Sequence, residues 1–300
     1  GDAGYTWSSE SGGGASATPA TGNGSNDGVG YNHDITFSGS GELDNGWTVS
    51  TGMIIVEDSS LSSSNVKLTM GSLGSIQIGN GTGGIGASYD SVVPTAYEEN
   101  HDGMSTSTAI DNMGALLGNG GIDYRSPSFD LGGATASFAY NYTPEASGAA
   151  VGEGGVSSSS DNHASGQALG IDVSMGGISV GAYGAEVEVD SLGVVTLTTG
   201  RSTESSFDGT WYAKYSTGPV SIGYQVGYLD RGLKAAATAA TTAKTVAAAG
   251  GHFETESMSV AFNVNENLSL SWAELTETYD ANTNAAAGRI TDIADVDMDS

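Results

Sequence analysis

Apolar and polar residues alternate in short runs along nearly the whole chain, and each run has the length of a β-strand. In YNHDITFSGSGEL (31–43), Ile35 and Phe37 share one phase and Thr36 and Ser38 the other. The return run WTVSTGMIIVE (47–57) puts Trp47, Val49, Met53 and Ile55 in phase, and Asp44, Asn45 and Gly46 lie between the two as a hairpin turn. The figure recurs five times. Runs 65–72 and 75–80 meet at Leu73 and Gly74, 120–130 and 134–142 at Leu131 to Gly133, and 165–175 and 178–189 at Gly176 and Gly177. Runs 207–217 and 220–229 meet at Gly218 and Pro219, and 252–264 and 268–279 at Asn265 to Asn267. With GYTW (4–7) read as the end of a first strand, thirteen antiparallel strands are predicted.

The division of faces is clearest in two runs. FDGTWYAKYS (207–216) sets Phe207, Trp211, Ala213 and Tyr215 against Asp208, Thr210, Tyr212 and Lys214. VSIGYQVGY (220–228) sets Val220, Ile222, Tyr224, Val226 and Tyr228 against Ser221, Gly223, Gln225 and Gly227. The small and polar face suits a water-filled lumen, although a soluble sandwich with its apolar face inward would show the same alternation. Every turn is short and carries glycine or asparagine for the positive-φ positions that tight hairpins need. Between hairpins lie long polar segments at 58–64, 81–119, 143–164, 190–206 and 230–251, and another begins near 280. One end of the sheet is therefore trimmed and the other elaborated, as in outer-membrane barrels.

The segment at 81–119 is too long and too polar for an ordinary connection, and compact domains keep such loops for a purpose. It gathers Asp90, Glu98, Glu99, Asp102 and Asp111 with no lysine or arginine. These carboxylates read either as a negative lining at a pore constriction or as a solvated acidic surface loop. At about 10 Å from a passing cation each would contribute roughly 0.4 kcal/mol in water, about 2 kcal/mol together before screening. That biases passage without holding an ion.

Composition narrows the partners. Thirty-five acids against eight bases give a net charge of −27, which repels nucleic acid and favours cations or neutral polar solutes. Forty-seven glycines and thirteen tyrosines with no cysteine disfavour a disulfide framework or a cysteine metal site. No run of about twenty apolar residues occurs, so no membrane helix is predicted; a β-barrel would leave no such run. Both ends of the chain read as incomplete.

SLGSIQIGN (72–80), ASYDSVVP (87–94) and YRSPSFDLGGATASFAYNY (124–142) resemble the fifth strand, the constriction loop and the following strands of the Gram-negative general porins, of the alphaproteobacterial type. Weaker similarity to that family's hairpin pattern covers nearly the whole chain. The resemblance implies a single all-β domain over 1–300, a transmembrane antiparallel up-and-down β-barrel of the 16-strand type, with the constriction loop at 81–119. It implies a homotrimer in the outer membrane of a Gram-negative bacterium, in contact with outer-membrane lipids. It also implies arginines on the wall opposite the acidic loop.

Arg125 follows the loop and alternates against Ile122 and Tyr124, so it is expected to point into the lumen; the match of YRSPSF carries the family role to it. Lys67, in phase with Asn65 and Thr69, and Lys214 are expected on the same face by parity. This basic set is thinner than the family's and favours cations.

Catalytic signals are weak. His33, His101, His163 and His252 are dispersed without metal-ligand spacing, and no G-x-S-x-G nucleophile occurs. Gly79 to Gly84 satisfies G-x-G-x-x-G after a strand, but no helix pattern follows it. The expectation is a diffusion channel for small hydrophilic solutes and ions, with no enzymatic activity, no cofactor and no bound metal. A secreted acidic β-rich surface protein of the adhesin or S-layer kind is the alternative, and an acidic glycan-binding or hydrolytic sandwich module is a third.

Overall fold

The computed structural model describes residues 3–12, 26–56, 61–80, 84–96, 121–144, 165–188, 205–230, 251–266, 268–281 and 293–299. Within them the chain forms strand after strand: β1 (Ala3–Gly12), β2 (Asn26–His33), β3 (Ile35–Glu42), β4 (Thr48–Ile55), β5 (Leu61–Thr69) and β6 (Ser75–Asn80). After the acidic loop come β7 (Ile122–Arg125), β8 (Phe129–Asp130), β9 (Thr135–Thr143), β10 (Gly166–Met175) and β11 (Ile178–Val187). The series ends with β12 (Ser206–Thr217), β13 (Val220–Asp230), β14 (Gly251–Asn265), β15 (Leu268–Ala281) and β16 (Ile293–Asp299). Among the described residues, helix is limited to two short 3-10 turns, Gly71–Leu73 and Gly86–Ser88.

These segments make one antiparallel sheet in the order β2-β1-β16-β15-β14-β13-β12-β11-β10-β9-β7-β6-β5-β4-β3, with β8 paired to β9. Chain neighbours are sheet neighbours almost throughout, which is the up-and-down order expected when each strand is tied to the next by a hairpin. β16 pairs with β15 on one side and β1 on the other. The two ends of the path, β2 and β3, are successive in the chain with only Asp34 between them, and no ladder joins them side by side.

All thirteen strand-like runs of the sequence are strands. Two of them are each divided in two, at Asp34 and at Ser126 to Ser128, and β16 is added. The second division has a local cause. Pro127 has no N–H for the ladder, and Ser126 compensates: its N–H donates to the Phe138 carbonyl at 2.9 Å, and its Oγ accepts the Phe138 N–H at 2.9 Å.

The two faces differ as the alternation predicts. On β12, Phe207, Trp211 and Tyr215 are exposed while Asp208, Thr210 and Tyr212 are buried. On β13, Ile222 is exposed while Gly223, Gln225 and Gly227 are buried. Phe37, Val66, Ile171 and Trp272 continue the apolar outer surface around the sheet. A surface of this extent belongs against another apolar phase. A sandwich would place that face inward, and here the inward face is the polar one.

The short turns carry positive-φ glycines at Gly46, Gly74, Gly132, Gly176 and Gly218. Gly74 is the most constrained. It sits at φ 84° and ψ −149°, a region open essentially to glycine alone, and a Cβ there would lie 2.2 Å from the Arg125 carbonyl oxygen. Gly74→Ala is expected to destabilise the folded barrel by about 1–3 kcal/mol, read as a lower thermal midpoint by circular dichroism in detergent. An unchanged midpoint would show that the turn relaxes freely.

Candidate functional site

The hydrophobic core lies against the wall of the sheet, beneath a strap formed by residues 84–96. Ile85 and Tyr89 of the strap pack on Ala139, Ala168, Tyr183, Ala185 and Tyr212 of β9 to β12, with Val92 and Val187 at the margin. These wall positions all belong to the polar-phase face, so the strap crosses the inner side of the sheet.

Its course can be followed bond by bond. Near β7, Arg125 Nη1 donates to Ser88 Oγ at 3.1 Å. At β10, the Tyr89 hydroxyl donates to Asp172 Oδ2 at 2.7 Å, and the other oxygen of the same carboxylate accepts the Tyr212 hydroxyl at 2.6 Å. At β13, Gln225 Oε1 accepts the Val92 N–H at 2.9 Å. Its Nε2 lies 2.6 Å from the Tyr89 carbonyl, 3.1 Å from the Asp90 carbonyl and 3.1 Å from Thr210 Oγ1. At β14, Ser259 Oγ donates to the Pro94 carbonyl at 2.7 Å, and at β15 Ser271 Oγ accepts the Ala96 N–H at 2.8 Å.

Glycines in the wall make room for the strap. A Cβ on Gly170 would lie 2.4 Å from the Tyr89 hydroxyl oxygen, and one on Gly223 would lie 2.4 Å from Pro94 Cδ. Tyr89 fills its slot, stacked on Tyr183 with ring centroids 5.2 Å apart. Burial, reinforced by the Asp172 carboxylate, holds the Tyr89 hydroxyl far above a phenol's ordinary range, so it remains a donor. Deeper in the wall, Asn141 Nδ2 donates to Asp123 Oδ1 at 2.6 Å, and Asn141 Oδ1 accepts from Thr143 Oγ1 at 2.9 Å.

The expected site residues fall unevenly on this frame. Asp90 is half-buried on the strap, and its carbonyl faces Gln225. Glu98, Glu99, Asp102 and Asp111 lie outside the described residues. Lys67 stands on the inner face of β5, in register with Ser50 and Gln77. Arg125 shares that face and meets the strap through Ser88. Lys214, on the inner face of β12, holds its Nζ 5.2 Å from the centre of the Tyr212 ring. The strap thus brings Arg125 close.

Asp172, Gln225, Tyr212, Gly170 and Gly223 were not singled out from the sequence as site residues. Their common signal is an inner-phase position on a predicted strand; nothing local marks them as partners of the strap. Among the described residues, no cluster of histidine and carboxylate side chains is placed to hold a metal ion.

The sequence matches none of the curated proteins. Among solved structures, the anion-selective porin of Comamonas acidovorans is similar at 12% identity, over 99% of this chain and 98% of that one, with a TM-score of 0.49. A second porin aligns at 15% identity over 99% of each chain, with a TM-score of 0.47. The outer-membrane protein OmpT of Vibrio cholerae aligns at 8% identity over 100% of this chain and 99% of that one, with a TM-score of 0.42. The family model that matches is the Gram-negative porin, over residues 1–290. An up-and-down sheet with an apolar exterior, a polar interior and a strap across that interior agrees with the match, and the chain belongs to the Gram-negative porin family.

Proposed function

We propose that this outer-membrane porin is a passive channel through which small hydrophilic solutes and ions diffuse, with cations preferred, and that three copies assemble in the membrane. The carrying observation is the strap: residues 84–96 lie along the inner wall from β7 to β15 and take up space in the lumen. Family and fold are those of channels rather than enzymes.

Cation preference rests on charge. The inner wall carries the half-buried Asp172 beside the strap's half-buried Asp90, in a chain with eight bases and thirty-five acids. Carboxylates lining a narrow aqueous path raise the local concentration of cations and lower that of anions. Glu98, Glu99, Asp102 and Asp111 follow the strap in sequence, and their charge would act in the same sense.

Planar-bilayer recording under a salt gradient tests this reading, with a reversal potential on the cation side as the expected result. Glu98→Gln combined with Glu99→Gln should move that potential toward zero. The change in the cation-to-anion permeability ratio is at most about sixteenfold, because roughly 0.4 kcal/mol per charge before screening acts in opposite senses on cation and anion. An unchanged potential would remove the pair from the constriction, and an anion-side potential in the parent protein would overturn cation preference. Sizing of the detergent complex should report three chains; a monomer would overturn the trimer.

A further inference from the structure

The carboxylate that seats Tyr89 has a second tyrosine on it. Tyr212 of β12 is buried and donates its hydroxyl to Asp172 Oδ1, the oxygen that Tyr89 does not use. Tyr212 stands in register with Gly181 of β11, and a Cβ there would collide with the Tyr212 ring and lie 2.5 Å from Asp172 Oδ1. The two tyrosines that share Asp172 also face each other, with ring centroids 6.4 Å apart. Two residues further along β12, on the same inner face, Lys214 holds its ammonium 5.2 Å from the centre of the Tyr212 ring.

These contacts run in series. A cation over an aromatic face is attracted by the ring's quadrupole, so Lys214 favours the rotamer of Tyr212 that reaches Asp172. A carboxylate already held by one phenol is offered to the other in a single orientation, which lowers the ordering cost of seating Tyr89. We propose that Lys214 is a positioning residue for the strap: acting through Tyr212 and Asp172, it keeps Tyr89 in its slot. Its charge is spent on an aromatic ring of the wall. The consequence for conduction, a steadier open pore, rests on the channel reading; the positioning itself does not.

Hydrogen exchange of the strap reads the positioning directly, because the Val92 N–H is held by Gln225 and exchanges when the strap lifts. In the full chain in detergent, Lys214→Met keeps the unbranched stem and removes the charge. Exchange at Val92 should quicken about two- to fivefold, the effect of one cation–π contact at a partly exposed site. Lys214→Arg should return it to the parental rate, since a guanidinium also covers a ring. With Tyr212→Leu in place, Lys214→Met should add nothing. Parental exchange in Lys214→Met, no rescue by arginine, or an equal acceleration in the Tyr212→Leu background would each overturn the proposal.

Planar-bilayer recording separates this from the channel reading. Lys214→Met should show brief closures more often than the parent and Lys214→Arg should not. A shifted reversal potential in Lys214→Met with parental exchange would assign the lysine to passing ions and overturn its role at the strap. A parent protein that carries no current would overturn the channel reading, and the exchange rates would still decide the role of Lys214.

Discussion

Gln225→Leu is expected to turn a steady open-channel current into one broken by brief closures, with a lower mean conductance. Leucine nearly matches glutamine in volume but cannot accept from Val92 N–H or donate to the Tyr89 and Asp90 carbonyls. A buried backbone group that loses its partner costs about 1–3 kcal/mol, so the equilibrium constant for docking of the strap should fall by roughly 5- to 150-fold. The strap rests against the inner wall, and once loosened the space it can enter is the lumen. The strand ladders are untouched, so the barrel itself should keep its thermal midpoint in detergent. An uninterrupted current of parental size would show that Gln225 does not hold the strap.

Gly170→Val should act at the same strap and more strongly. Its Cβ would lie within 2.6 Å of three atoms of the Tyr89 side chain, which is 1% exposed and has no slack in its slot. Tyr89 must leave. With it go the hydrogen bond to Asp172, the stack on Tyr183 and the burial of one aromatic ring, a loss on the order of 3–5 kcal/mol. The expected result is a channel closed for most of the recording.

A double-mutant cycle separates this mechanism from general damage to β10. When Tyr89→Ala has already emptied the slot, adding Gly170→Val should cost about 1–3 kcal/mol less than it does in the parent. Additive effects would place the harm in the strand and not in the slot.

Much of the frame was legible from residue alternation. The phase of β12 and β13, the glycines at the short turns and the unusual length of 81–119 all depend on neighbours close in the chain. Where the reading was incomplete, the cause was also local. β1 extends through Ser8, Ser9, Glu10 and Ser11, which show no apolar alternation, so only GYTW stood out. β7 and β8 read as one run because Pro127, which interrupts the ladder, lies within an otherwise regular pattern.

The holding points of the strap were not legible. Tyr89 and Asp172 are 83 residues apart, Val92 and Gln225 are 133 apart, and Ala96 and Ser271 are 175 apart. No periodicity spans such distances. Asp172 reads as one polar inner-phase residue among many, and Gly170 as one glycine among forty-seven.

Covalent geometry sends successive side chains of a strand to opposite faces, so the order of residues alone determined which side chains share a face, and only the assembled sheet decided which face turns inward. Register around the sheet decided the rest. Only when β10 to β15 stand in sheet order do a carboxylate, a carboxamide, two hydroxyls and two glycine notches line up along one path, and that alignment settles which wall residues 84–96 cover.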